Sequence, residues 1–279
     1  MMATPIRSDD ATATPNAVPG PEHGLRRPPA VEFELVERYY SVRVARTVEE
    51  VLEAQRVRYE VFNVELGEGL STSSSSMLDA DVYDEHCDHL LLVEKTSGAI
   101  VGTYRLQTAA MARAGSGFYC AGEFDLSGIG EERLEDSVEL GRACILREHR
   151  MGHALFTLWR GVARYAQATG KHHFFGCCSL TGTDPRLGLI AARWLEGRGK
   201  LHPDVRVEPV EGHGCFGEPA TEAEVAAFEP PNLFGAYLRY GVLACGPPAV
   251  DHEFGTIDFL VLLDTRTVEP RFRRLIFEG

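Results

Sequence analysis

The sequence predicts a mixed α/β domain, a single sheet flanked by helices. Two observations carry that prediction. Segments of strand period and segments of helical period alternate along the chain in the order strand, helix, hairpin, strand, helix, strand, helix, then strands. And 44% of the 279 residues are apolar, enough for a substantial core, with neither an internal repeat nor a second linker to divide it. The reading is a tail over residues 1–30 and a single domain over residues 31–279.

The first 30 residues hold six prolines and few large apolar groups. They bury too little surface to offset ordering entropy and read as disordered. Val42 and Val44 flank Arg43 in a short strand pattern. Thr47 and Glu50 then form a capping box opening a helix to about residue 66, with Val48, Leu52, Tyr59, Phe62 and Leu66 as its apolar stripe and Arg58 at the border. Residues 67–76 are rich in Gly and Ser and read as a mobile loop or lid. Two strands, residues 89–94 and 100–107, are joined at Thr96-Ser97-Gly98 as a hairpin. Residues 109–136 have no period. A strand follows over 137–146, a helix over 152–169 stopped by Gly170, and a strand over 172–178. Asp184 caps a helix with Pro185 at its first position. Short helices are predicted at 221–228 and 232–240, and a buried strand at 258–263.

Composition excludes several roles. A net charge of −13 is wrong for a nucleic-acid partner, which needs a basic face, and for a polybasic membrane anchor. Seven cysteines without an even framework of spacings read as reduced thiols of a cytoplasmic protein. The longest purely apolar run, residues 259–263, is far short of the ~20 residues that span a bilayer.

The most informative unit is the strand, turn and helix from Val138 to Tyr165. Its turn, Arg147-Glu148-His149-Arg150-Met151-Gly152-His153-Ala154, precedes a helix N-terminus, where unpaired N–H groups and adjacent arginines suit a phosphate or pyrophosphate. GNAT acyltransferases carry Arg/Gln-x-x-Gly-x-Gly/Ala here; this chain has His149-x-x-Gly152-x-Ala154, departing at the first position, where Arg147 or Arg150 can supply the charge. With Arg58 and Phe62, the series Asp81-Val82-Tyr83-Asp84, Tyr104-Arg105 and Glu139-Leu140-Gly141-Arg142 resembles acyl-homoserine-lactone synthases and their relatives. Leu158-Trp159-Arg160-Gly161, Gly176-Cys177-Cys178-Ser179-Leu180, Gly182-Thr183-Asp184-Pro185, Tyr237-Leu238-Arg239 and Asp251-x-x-Phe254-x-Thr256-x-Asp258 are similar to the ornithine–acyl carrier protein N-acyltransferases, a branch often labelled hemolysin-like. The resemblance covers about residues 42–277.

The resemblance implies a GNAT-like fold and transfer of a 3-hydroxy fatty acyl group from acyl carrier protein to the α-amine of an amino acid, ornithine first. Its partners would be the carrier protein and the amino-acid acceptor, with peripheral contact at the inner membrane. The phosphopantetheine thioester would be a co-substrate, with neither a tightly bound cofactor nor a metal. Glu139 matches the family base and would take the amine's proton. A β-bulge expected in its strand would bring Arg142 to the site, and N–H groups near Ala143 and Cys144 would hold the tetrahedral oxygen. Arg105 or Arg142 would bind the acceptor carboxylate. Asp81 and Asp84 would hold its ammonium, or else fix Arg58 and Arg105 by ion pairs. Arg147, Arg150, Gly152 and Ala154 would bind phosphopantetheine. Phe118, Phe124, Phe174 and Phe175 are plausible walls for the acyl chain, and equally ordinary core.

Three rivals stand beside this. Cys144 or Cys177, with His149 or His172 as base, would make a nucleophilic enzyme. His86-Cys87-x-His89 and His172-His173 are rich in metal ligands but lack paired C-x-x-C spacing. A binding module without activity is the third.

Overall fold

The computed structural model describes residues 28–70, 73–150 and 153–278. Its strands are β1 (Glu34–Val36), β2 (Tyr40–Val44), β3 (Asp88–Glu94), β4 (Ile100–Thr108), β5 (Phe124–Asp125), β6 (Ser137–Ile145), β7 (His173–Thr181), β8 (Glu208–Pro209), β9 (Leu243–Ala244), β10 (Ala249–Asp251) and β11 (Thr256–Asp264). Its α-helices are α1 (Val48–Tyr59), α2 (Ser73–Ser76), α3 (Ala109–Ala114), α4 (Glu131–Glu135), α5 (His153–Thr169), α6 (Pro185–Gly197), α7 (Glu222–Ala227), α8 (Asn232–Arg239) and α9 (Pro270–Phe277). The main sheet runs β1-β2-β3-β4-β6-β7-β11-β10, with β9 also on β11, and β5 pairs with β8 apart from it. Within the main sheet only β6 and β7 are parallel, so the chain must cross over between them, which α5 does.

Strand alternation decides the layers. On β3, Leu90 and Leu92 pack toward α5, while Leu91 and Val93 pack toward α1. Helix α5 lies close on the sheet because residue 161 is glycine: a Cβ there would come within 2.5 Å of Val42. No described helix is long and apolar enough to cross a membrane.

Helix α1 begins where the sequence places it, with Thr47 Oγ1 accepting the Glu50 N–H at 3.3 Å. The Glu50 carboxylate also takes Arg43 and the Arg46 N–H. The helix is also rotated from the expected stripe. Its buried residues are Val51, Ala54, Gln55, Val57 and Arg58, then Val61, whereas Leu66 is exposed. Arg58 thus sits at the centre of the buried face, because acidic partners beneath the helix replace its water. Over Glu60–Glu65 the helix widens into a π-helix.

Four further differences have local causes. Ala30 is described and donates its N–H to Asp88 at 3.1 Å, so order begins before residue 31; the rest of the expected tail, residues 1–27, lies outside the described residues. Strand β1 and helix α9 escape sequence reading, the one too short for a period and the other charged on every exposed turn. The Gly/Ser stretch contains α2, with residues 71–72 outside the described set. The aperiodic run 109–136 holds α3, β5, α4 and several 3-10 turns.

Two irregularities make the site. Strands β6 and β7 pair only from Ser137 with His173 to Glu139 with Phe175, then part. They part where Gly176 passes against Leu140, whose carbonyl oxygen would lie 2.2 Å from a Cβ at 176. Opposite, the β4 register places Thr103 against Cys144 and Arg105 against Gly141, so Arg142 and Ala143 together face Tyr104. That is a β-bulge with Arg142 at φ 52°, a left-handed conformation that a non-glycine residue holds only under strain.

Candidate active site

A cleft of ≈ 730 Å³ occupies the gap between β6 and β7. Glu139 through Ile145 line one side, Cys177, Cys178 and Ser179 the other, with Phe62, Arg105, Tyr119, Phe254 and Asp258 on one face and α8 on the other. It meets a narrower apolar slot of ≈ 120 Å³ beneath α5, α8 and α9. Trp159, Val162, Phe174, Tyr237, Val261, Leu263 and Phe272 line that slot, and Tyr104, Leu140 and Cys178 line both. Of the four phenylalanines read as walls, Phe174 and Phe175 border the slot; Phe118 packs on Phe175 with centroids 5.1 Å apart, and Phe124 is core.

Glu139 is held by the irregular segment that sequence reading leaves blank. Its Oε2 accepts the Tyr119 N–H at 3.0 Å and its Oε1 the Cys120 N–H at 2.8 Å. Both oxygens are therefore oriented, each with a lone pair left. Burial pushes its pKa up against the pull of those N–H groups.

Beneath the cleft, three arginines meet three aspartates. Arg58 bonds Asp79 through Nε at 2.8 Å and grips Asp84 with both terminal nitrogens. Arg105 reaches Asp81 at 2.6 Å and Asp84 at 3.0 Å. Arg142 reaches Asp79 at 3.2 Å and Asp81 at 3.1 Å, with its guanidinium between the rings of Tyr119 and Phe254. Arg58 and Asp84, expected at the acceptor, lie paired with one another below the cleft. Both are sealed from solvent, because each buried charge needs its opposite in contact. The alternative role, carboxylates fixing arginines, is the one the geometry describes. Arg105 and Arg142 line the cleft, Asp81 lies between them with 12% of its side chain exposed, and Phe62 meets Phe254 edge-on at 5.3 Å. Asp79, central to the network, was not singled out by sequence; the spacing of acids at 79, 81 and 84 was its signal.

The anion turn is less open than its sequence implies. Arg150 is committed to both oxygens of Glu65, at 2.6 and 2.7 Å, and to the Ile145 carbonyl, so binding a phosphate there requires that pair to exchange. Arg147 is exposed, Ala154 is fully buried against the sheet, and Gly152 lies outside the described residues. His149 is engaged with the Tyr40 hydroxyl at 3.2 Å.

The rival chemistries find little here. Burial pushes the Cys144 thiol up to about 12, and contact with Cys120 together with burial raises that of Cys177. His149 and His172 are paired to Tyr40 and Asp136 rather than to either thiol. Among the described residues the ligand-rich cluster is Glu123, Cys177 and Asp258, not the histidines singled out in sequence.

Residues 57–160 match the model of the acetyltransferase (GNAT) domain. Along most of its length the chain is 33% identical to an L-ornithine N(alpha)-acyltransferase of Rhodobacter capsulatus, covering 84% of this chain and 93% of that one. The chain belongs to the L-ornithine N(alpha)-acyltransferase family. It is an acyltransferase with the GNAT fold. A relative of the same name from Agrobacterium fabrum is 32% identical over 82% of both chains, and one from Brucella abortus 31% identical over 83% of this chain and 86% of that one. Among solved structures, the acyl-homoserine-lactone synthase LasI has a TM-score of 0.46 at 14% identity, covering 87% of this chain and 97% of that one. The N-acyl amino acid synthase FeeM has a TM-score of 0.45 at 11% identity, covering 82% and 91%.

Proposed function

We propose that this acyltransferase moves a 3-hydroxy fatty acyl group from an acyl carrier protein thioester to the α-amine of ornithine, forming the single-chain amide of an ornithine lipid. One observation carries the reading: the sheet opens at Glu139, with an apolar slot on one face and a charged cleft on the other. The acyl chain lies in the slot, the thioester carbonyl in the gap, and the amino acid in the cleft, its carboxylate toward Arg105 and Arg142. Peripheral contact with the inner membrane would hand over so amphiphilic a product. The names of the relatives support ornithine as acceptor. Arg147, Arg150, Gly152 and Ala154 are the proposed phosphopantetheine contacts.

A free α-ammonium has a pKa of about 7.7–8.0, so a proton must leave before nitrogen attacks. Glu139, raised by burial, takes it more readily than an exposed carboxylate would. The C–N bond forms, the Ala143 N–H at the bulge holds the carbonyl oxygen, the C–S bond breaks, and the thiolate leaves to be protonated. The test is incubation with long-chain 3-hydroxyacyl carrier protein, or the matching coenzyme A thioester, and a pool of amino acids, with products read by mass spectrometry. An acyl-ornithine made from the carrier protein is expected; no adduct from either donor by a folded protein overturns the reading.

A further inference from the structure

The three-arginine network pairs the charges of Asp79, Asp81 and Asp84, although one oxygen of Asp79 has no hydrogen bond, and Glu139 is held by backbone N–H groups. Asp251 is satisfied as well, by the Tyr119 hydroxyl and the N–H groups of Glu253 and Phe254, each at 2.8 Å. Two acids remain. Glu123 and Asp258 are 4% and 3% exposed, and neither has an ion-pair partner among the described residues. Among the described residues Oε2 of Glu123 and Oδ1 of Asp258 have no hydrogen-bond partner within ordinary geometry. Two buried carboxyls side by side with no cation cannot both hold charge, so the pair as it stands is held by contact with each other, and Asp258 also meets Ser179 and Thr256.

The position of the pair is informative. Phe175, Cys177 and Ser179 share one face of β7. Glu139 flanks Phe175 on one side and Asp258 flanks Ser179 on the other, so Glu139 and Asp258 look onto the same cleft. A carboxylate oxygen of Glu123, one of Asp258 and the Cys177 sulfur lie within 4.8 Å of one another. A point between three such atoms is about 2.8 Å from each, the length of a charge-assisted N–H···O bond. Four residues of strand separate the two sites, roughly 13 Å. Two amines joined by an extended three-carbon chain and its carbon bearing the α-amine, with one hydrogen bond at each end, span about 12 Å.

We propose that Glu123 and Asp258, with Cys177 beside them, form the subsite for the side-chain ammonium of a diamino acid acceptor. The inference rests on the ornithine reading and assigns the residues that select it. The ammonium supplies the cation the pair lacks and places the α-amine at Glu139, so that acylation falls on that amine alone. Without it, burial and the neighbouring Asp258 push Glu123 up to about 10, so the empty pair keeps a proton. Arg142 opposes that shift, Asp251 adds to it, and an incoming ammonium displaces the proton.

The experiment compares ornithine with norvaline, which has the same carbon chain without the second amine, in the wild type and in Glu123→Gln, Asp258→Asn and the double variant. Wild type is expected to favour ornithine by at least tenfold in kcat/KM. The double variant is expected to lose at least tenfold of that preference through the KM for ornithine, with unchanged near-UV circular dichroism as its control for folding. Ornithine binding followed by calorimetry in two buffers of different ionisation enthalpy is expected to release a proton from wild type and none from the double variant. A wild type that acylates both substrates alike, or a double variant that keeps the preference, overturns the subsite and leaves the transferase reading standing. Stoichiometric metal in the purified protein, lost in the double variant, overturns it in favour of a metal site. A wild type that acylates neither removes both readings.

Discussion

Arg58 and Asp84 meet in a two-pronged pair, Nη1 to Oδ1 at 2.9 Å and Nη2 to Oδ2 at 2.8 Å, both out of reach of solvent. Asp84 also serves Arg105, so Asp84→Asn leaves two buried cations short of charge. The expected loss is about 3–5 kcal/mol of stability, measured by denaturant unfolding. Its folded pKa is held well below the ordinary carboxylate value, chiefly by Arg58 and Arg105 against the cost of burial. The sign follows: this contribution is present above the unfolded pKa of about 3.9 and is lost as pH falls through the folded value, so wild type should lose more stability in that acid window than the variant.

Glu139→Gln keeps the shape that accepts from Tyr119 and Cys120 but not the basicity. Transfer should slow by about 10²–10⁴-fold with the fold intact. Because the folded pKa of Glu139 is raised, the acid limb of kcat/KM in wild type should lie above pH 4.5 and disappear from the variant's residual activity, as a pH–rate profile would read.

Glu123 gives the opposite linkage from Asp84. A carboxyl raised from 4.5 to about 10 stabilises the fold fully below its unfolded pKa, and that contribution is lost as pH rises through the folded value. Glu123→Gln should therefore flatten the decline of melting temperature between pH 5 and pH 9, a scan requiring no substrate.

Gly176→Ala forces a methyl into the Leu140 carbonyl at the point where β6 and β7 separate. Backbone cannot swing aside as a side chain can, so the variant should lose about 1–3 kcal/mol and much of its activity together.

Leu263→Trp fills part of the slot from a half-buried position. Donors with long acyl chains should lose about tenfold or more in kcat/KM relative to short ones, measured across a chain-length series.

Much of the fold is legible because it follows periodicity: the β3–β4 hairpin with Gly98 at its turn, β6–α5–β7, and the Asp184 and Thr221 caps. The centre of the site is less so. Glu139 and Arg142 can be named from motifs, but the groups that orient Glu139 are main-chain N–H groups of Tyr119 and Cys120, and any residue type supplies those. Arg58 reads as bordering a helix face because hydropathy treats an arginine as solvent-seeking; only its distant partners, Asp79 and Asp84, make it core. The Glu123–Asp258 pair joins positions 135 residues apart; Asp258 stands in a motif, but Glu123 is one of several acids in an aperiodic run, and nothing in the sequence ties the two together.

All seven cysteines are free and none is fully exposed. Burial drives the thiols of Cys144 and Cys245 up to about 12 and that of half-buried Cys215 to about 11. A thioester is an acylating reagent toward any thiolate it meets, and at neutral pH these side chains offer almost none. For a thioester donor of the kind proposed, the protein's own sulfurs are therefore poor acceptors. Incubation with a long-chain acyl thioester in the absence of amine is expected to leave the intact mass of the protein unchanged, with the acyl group kept for the amine rather than trapped on sulfur.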